Sequence, residues 1–296
     1  MFSTVLDCAG RELVLDKPRI CGIVNVTMDS FSDGGRFVDP SAAIEHALQL
    51  VAEGADLLDI GAESTRPGAS AIGAAEQIAR VVPVIEAVAA RSSLPISIDT
   101  SDPQVMCAAL AAGAGMINDV RALRAEGALE AAAASTAVVC LMHMQGEPRI
   151  MQDSPYYDDV VGEVHRFLSD RVLACQFSGI DKKRIVIDPG FGFGKTLEHN
   201  LLLLAQLERF TEIAPVMAGL SRKSMIASLT GQKSVDQRIH GSVAAALIAV
   251  QRGAAIVRVH DVSATRDALL VWQGVAAVPT AARKSKASNP GLWDDD

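Results

Sequence analysis

Several absences narrow what this chain of 296 residues can do. It has only five cysteines (Cys8, Cys21, Cys107, Cys140 and Cys175), odd in number, scattered and never in a C-x-x-C pair. That excludes a disulfide framework and a cysteine zinc site, and points to reduced, mostly buried thiols in a cytoplasmic protein. No apolar run approaches the ~20 residues that cross a bilayer. The opening "MFSTVLDCAGRELVLDKP" has neither the basic start nor the apolar core of a signal peptide, so no membrane role or export is expected. Net charge is −8 and no basic cluster stands out, which argues against a nucleic-acid surface while leaving room for a local cationic pocket. H-x-H and H-E-x-x-H spacings are missing, which argues against a tight protein-built zinc site. A Mg²⁺ held mainly by substrate phosphates and one or two oxygen ligands stays compatible. There is no G-x-S-x-G nucleophile elbow either.

What is present is repetition. Short apolar runs ("ICGIVN", "DLLDIG", "PISID", "GMIND", "AVVCLMH", "RIVIDPG", "PVMAGLS", "AAIVRVHD") suit strands buried on both faces. Between them lie Ala-rich stretches of helical period such as "PSAAIEHALQLVAEGA" and "SVAAALIAVQRGA". Ser101-Asp102-Pro103 marks a helix start, and Gly54, Gly113 and Gly253 mark stops. Pro83 interrupts the stretch after Ala74, where a kink or break is expected. Eight strand–helix units predict a (β/α)8 TIM barrel, with a doubly wound open sheet as the alternative. The segment around Ala9-Gly10 predicts an N-terminal β-hairpin closing the barrel's bottom. Residues 1–280 are then one domain, and the aperiodic tail 281–296 is expected to be disordered.

The predicted strands end in Asn25, Asp59, Asp99, Asn118, His143, Asp188, Ser221 and the pair Arg258/His260. A single polar end is an ordinary helix cap. Eight in register on the face where barrel enzymes gather catalytic groups suggest a shared site. "DPGFGFGKT" misses a P-loop by one residue, Pro189, and a dinucleotide fingerprint by one, Lys195. It remains a strand-end carboxylate in a glycine-rich loop open to a flat ligand. Arg66, held extended before Pro67, and the pair Arg258 and His260, two apart on one strand, suit an oxyanion. Ser221, Arg222 and Lys223 lie where barrels commonly bind phosphate. His143 is equally a ligand or a satisfied buried histidine; His46, His165 and His199 read as surface or packing residues.

These stretches, "GIVNVTMDSFSDGG", "ESTRPG", "ISIDT", "MINDV", "LMHMQG", "DPGFGFGK", "SRKS" and "VRVHDV", resemble the dihydropteroate synthase family, in order from Gly22 to Val262. The resemblance implies a dimeric (β/α)8 barrel, a transferase that joins 4-aminobenzoate to 6-hydroxymethyl-7,8-dihydropterin diphosphate and is competed by sulfonamides. Carried over residue by residue, it implies a pterin pocket of Asp99, Asn118, Asp188 and Lys223. It implies a diphosphate set of Asn25, Arg66, Arg258 and His260 with Mg²⁺ near Asn25, and an aminobenzoate set of Phe31, Thr65, Pro67 and Ser221. Asp188, Lys223, Asp99 and Asp33 are the catalytic candidates, Asp33 ranking above Asp29 for holding the cation or accepting the proton. Two other readings are a methyltetrahydrofolate-dependent methyltransferase barrel and a catalytically silent pterin-binding paralogue. The departure that keeps the latter open is Met28, where the family motif carries proline. Losing that proline loosens the chain by ~0.4–1 kcal/mol and removes no chemical group, so altered loop closure is expected.

Overall fold

A computed structural model describes residues 5–26, 40–62, 72–147, 150–232 and 234–278. The first two strands, β1 (Val5–Cys8) and β2 (Arg11–Val14), pair antiparallel. Ala9 and Gly10 between them both take positive φ, 57° and 81°, as a two-residue type I′ turn requires. The Gly10 N–H donates to Asp7 Oδ1 at 2.6 Å and closes that turn. The expected hairpin is present.

Eight parallel strands follow and close on themselves: β3 (Arg19–Asn25), β4 (Leu57–Gly61), β5 (Ile96–Asp99), β6 (Met116–Asp119), β7 (Val138–Met142), β8 (Ile185–Asp188), β9 (Val216–Ala218) and β10 (Ala254–Val259). β10 pairs in parallel with both β9 and β3, so the sheet is a closed barrel and the open doubly wound alternative is excluded. Around it run α1 (Pro40–Glu53), α2 (Ala74–Arg91), α3 (Pro103–Ala111), α4 (Ala128–Ala133), α5 (Val160–Phe177), α6 (Leu197–Ala205), α7 (Ser224–Thr230), α8 (Ile239–Gln251) and α9 (Val262–Ala276).

Local signals act where expected. Asp102 caps α3 by accepting from the N–H groups of Gln104 and Val105, with Pro103 at the first helical position. Gly54, Gly113 and Gly253 all lie in the left-handed region after helices. His199 turns out to be a capping residue: it and Thr196 form a reciprocal box at the start of α6. Of the kink or break expected at Pro83, the break does not occur, since α2 runs through it from Ala74 to Arg91. One proline deprives a single carbonyl of its partner, while Val81, Val84, Ile85 and Val88 bury the face on either side.

Two apolar layers result. One lies between strands and helices, with Val24, Ile60, Ile98 and Val257 among its fully buried members. The other fills the barrel's lower interior: Cys21, Leu57, Met116, Val138, Cys140, Val186, Met217 and Ile256, with Leu6, Cys8 and Leu13 of the hairpin sealing it from below. Side chains alternate sides along a strand. Two residues further on, the inward positions are therefore Asp59, Asn118, Asp188 and Arg258, and the interior becomes polar.

Candidate active site at the barrel mouth

The upper interior is organised by ion pairs spanning several strands. Arg258 on β10 donates from Nε to Asp59 Oδ2 at 2.6 Å and from Nη2 to Asp99 Oδ2 at 2.8 Å. Asn118 on β6 donates from Nδ2 to the same Asp59 oxygen at 2.9 Å. Burial by itself would lower the pKa of Arg258; Asp59 and Asp99 outweigh it and hold the guanidinium protonated.

Asp188 ends β8, where Gly190 N–H donates to its Oδ1 at 2.7 Å. Burial raises its carboxyl pKa, partly opposed by Lys223 and by the Gly190 hydrogen bond. Lys223 is lowered to about 8, again chiefly by burial, with Asp188 pulling the other way. Its Nζ donates to the Phe191 carbonyl and lies 4.6 Å from the Phe193 ring centroid. A β-carbon on Gly219 would stand 3.8 Å from Asp188 Oδ2 and 3.9 Å from Lys223 Nζ, so the carboxylate and ammonium flank one bare stretch of backbone. This wall offers acceptors, a cation and an aromatic face to a flat polar ring.

The loop carrying Asp188 is pinned from behind by Lys195. Its buried Nζ donates to the carbonyls of Gly190 (2.9 Å) and Phe193 (3.0 Å) and meets His143 Nδ1 at 2.9 Å. Burial depresses the Lys195 pKa well below its ordinary value. His143 is pushed down to about 2, by burial first and Lys195 second, so its ring is neutral. It stacks edge-on against Phe167 at 4.8 Å, as a satisfied buried histidine does. Gly190 is required here: a β-carbon would fall 1.8 Å from the His143 carbonyl oxygen.

In the adjoining loops after β9 and β10, His260 Nδ1 lies 3.1 Å from Ser221 Oγ, which also accepts from the His260 N–H at 3.2 Å. Arg222 holds these two loops together. It grips Asp261 through Nε (3.0 Å) and Nη2 (2.6 Å) while taking a left-handed φ of 60°. Asn25 ends β3, in register with Gly61 of β4.

Asn25, Asp99, Asn118, Asp188, Ser221, Lys223, Arg258 and His260 thus all fall on or just beyond the C-terminal ends of barrel strands. Arg258, expected with the diphosphate set, is paired to a pterin-set residue, Asp99, so the two sets join at its guanidinium. Asp59 does not end its strand; β4 continues to Gly61 and encloses it. Phe31, Asp33, Thr65, Arg66 and Pro67, like Met28, Asp29 and the tail 281–296, lie outside the described residues. Two residues with site contacts carry no sequence signal for that role: Asp59 stands at the end of an apolar run, and Lys195 breaks a dinucleotide fingerprint.

Fold and site together define a (β/α)8-barrel enzyme with a mouth built for a flat, polar, ring-shaped ligand. The chain belongs to the pterin binding enzyme family, which matches residues 21–260. Its relatives include the dihydropteroate synthase of Neisseria meningitidis serogroup C, 54% identical over 273 residues that cover 90% of this chain and 96% of that protein. Among solved structures, the Xanthomonas albilineans dihydropteroate synthase with 4-aminobenzoic acid superposes with a TM-score of 0.89 at 60% identity, covering 94% of this chain and 100% of that one. The same organism's enzyme in complex with 7,8-dihydropteroate gives 0.86 at 57% identity, covering 93% and 100%.

Proposed function

We propose that this transferase condenses 6-hydroxymethyl-7,8-dihydropterin diphosphate with 4-aminobenzoate, giving 7,8-dihydropteroate and diphosphate in folate biosynthesis, and that sulfonamides compete for its aminobenzoate site. The observation that carries the reading is the mouth cluster of Asp99, Asn118, Asp188, Lys223 and Arg258, set in a chain so similar to synthases crystallised with 4-aminobenzoic acid and with 7,8-dihydropteroate.

In this reading Asp188, Asn118 and Asp99 accept from and donate to the ring's aminopyrimidinone edge, while Lys223 lies beside it. The bond from the exocyclic carbon to the diphosphate oxygen breaks first, its electron pair leaving with the diphosphate. The carboxylate of Asp188 stabilises the positive charge left on the pterin. Arg258 and His260, with Arg66, stabilise the departing anion. The aminobenzoate amine, seated by Ser221, Phe31, Thr65 and Pro67, then forms the new C–N bond and loses a proton, with Asp33 as the acceptor. An aromatic amine needs little activation against such a cation, so no strong general base is required.

Among the described residues, no group of three or more His, Cys, Asp or Glu side chains is arranged to hold a metal ion. The single amide oxygen of Asn25 at the mouth fits an ion bound mostly by substrate phosphates, and Mg²⁺ is the cofactor of this reading. When bound, it neutralises charge on the leaving diphosphate. The enzyme works as a cytoplasmic homodimer in this reading. Its five cysteines are all free, and no helix among the described residues is long and apolar enough to cross a membrane.

Purified protein mixed with the two substrates and Mg²⁺ should release dihydropteroate and diphosphate in equal amounts, and a sulfonamide should raise the apparent KM for aminobenzoate. Pterin binding without any product would overturn the assignment.

A further inference from the structure

Asp59 has no part in the chemistry above, yet it is wholly enclosed, 0% exposed. Among the described residues both of its hydrogen bonds fall on one oxygen, Oδ2, from Arg258 Nε at 2.6 Å and Asn118 Nδ2 at 2.9 Å. The donors come from opposite directions: β10 lies two strands from β4 on one side and β6 two strands away on the other. Its second oxygen, Oδ1, is buried and has no partner among the described residues, and neither has Oγ of Ser97, the residue in register with Asp59 on β5. A buried carboxylate left half satisfied is a poor device for stability alone. What it does achieve is orientation: one atom ties a guanidinium and an amide that face the same pocket.

We propose that Asp59 is a positioning residue for the pterin site, fixing the Arg258 guanidinium and the Asn118 amide together through its Oδ2. The inference rests on the pterin reading given above. Arg258 also pairs with Asp99, a residue assigned to the ring. A ligand that draws Asp99 toward itself weakens that second pairing. Asp59, closed off beneath, keeps the guanidinium charge-paired and in place while Asp99 turns to the ring.

Asp59→Asn keeps the shape and removes the charge. The KM for pterin diphosphate should rise about 10- to 100-fold, by analogy with the loss of an outer partner that orients a metal's ligands. The KM for 4-aminobenzoate should not change, while kcat should fall along with the rise in the pterin KM, because Arg258 also stabilises the departing anion. In an Arg258→Lys background the same substitution should add less than it does alone, because part of its effect runs through the guanidinium. An unchanged pterin KM in folded Asp59→Asn overturns the proposal, as does an equal rise in both KM values accompanied by a matching loss of melting temperature. Should the variant not fold, the wild-type protein decides by NMR. The Arg258 Nε proton, identified by its loss in Arg258→Lys, should exchange slowly with solvent; exchange as fast as that of a surface arginine rejects the role. Turnover by the wild type is measured first, so an inactive wild type counts against the function and leaves the NMR arm standing for Asp59.

Discussion

Two regions of one barrel interior sit a single inward step apart on the same strands, and their chemistry is opposite. Below are Leu57, Met116, Val186 and Ile256, packed among thiols and closed off by the hairpin. Two residues further along the same strands come Asp59, Asn118, Asp188 and Arg258. The lower layer is held by contact with its neighbours and would serve any function. The upper layer buries charges that weaken the fold unless paired, as the raised carboxyl of Asp188 and the lowered ammonium of Lys223 record. In the function proposed above, a residue that strains the fold in the upper layer is there for its ligand; one in the lower layer is there for the fold. The alternation of the strands keeps these two duties on separate side chains.

The sharpest way to break that division is Asp188→Asn. It should lower kcat/KM for pterin diphosphate by about 10²- to 10³-fold, the scale of losing a group that stabilises developing charge. The fold should not suffer. Burial raises this acid's pKa in the native state, so its ionised form opposes folding at every pH above the unfolded value. The melting temperature, read by calorimetry, should therefore stay level or rise; a fall along with activity would put Asp188 among the structural residues. Leu57→Ala makes the mirror test. It leaves a hole in the sealed lower layer and should cost about 2–5 kcal/mol of stability by denaturant unfolding, with both KM values unchanged. Any selective rise in the pterin KM would show that the two layers are coupled.

Much of this was visible in the residues, unevenly so. The hairpin could be placed because Ala9-Gly10 is bounded by two short runs, and the barrel because eight apolar runs alternate with helical ones. Strand-end positions pointed to the mouth because period and direction alone settle them. Pairing across the barrel was not legible. That Arg258 meets both Asp59 and Asp99 depends on which strands become neighbours and on how far each side chain reaches. β4 ran two residues past its expected end because Ile60 and Gly61 continue the ladder to β5, enclosing Asp59 in the process. Lys195 was harder still. In a glycine-rich loop a lysine suggests phosphate, and only the fold shows its ammonium turned inward to backbone carbonyls.

The pH response of Lys223 sharpens the comparison at a smaller scale, because fold and site should answer in opposite directions. With its pKa lowered to about 8, Lys223 loses its charge above that pH in the native state, while the unfolded chain keeps the proton to ~10.4. The unfolded state binds more protons over that window, so this residue adds stability as pH rises from about 8. Activity should do the reverse, kcat/KM for pterin diphosphate falling about tenfold per pH unit above 8. In Lys223→Met that alkaline limb should vanish from a rate already low; a limb of unchanged slope and midpoint assigns the titration to another group.

The smallest effect belongs to the hairpin, the part of the lower region furthest from the mouth. Gly10 takes a φ of 81°, and a β-carbon there would touch nothing within 4 Å. Gly10→Ala is thus a purely conformational change, a left-handed residue without glycine's freedom, costing about 1–2 kcal/mol. The N–H that donates to Asp7 is retained in alanine, so the turn should strain without opening. If the hairpin serves only to seal the barrel, denaturant unfolding should register this cost, and kcat and both KM values should match wild type. A changed KM would mean that strain at the bottom reaches the strand tops through Leu6, Cys8 and Leu13, which pack on the interior residues directly beneath Asp59, Asn118 and Asp188.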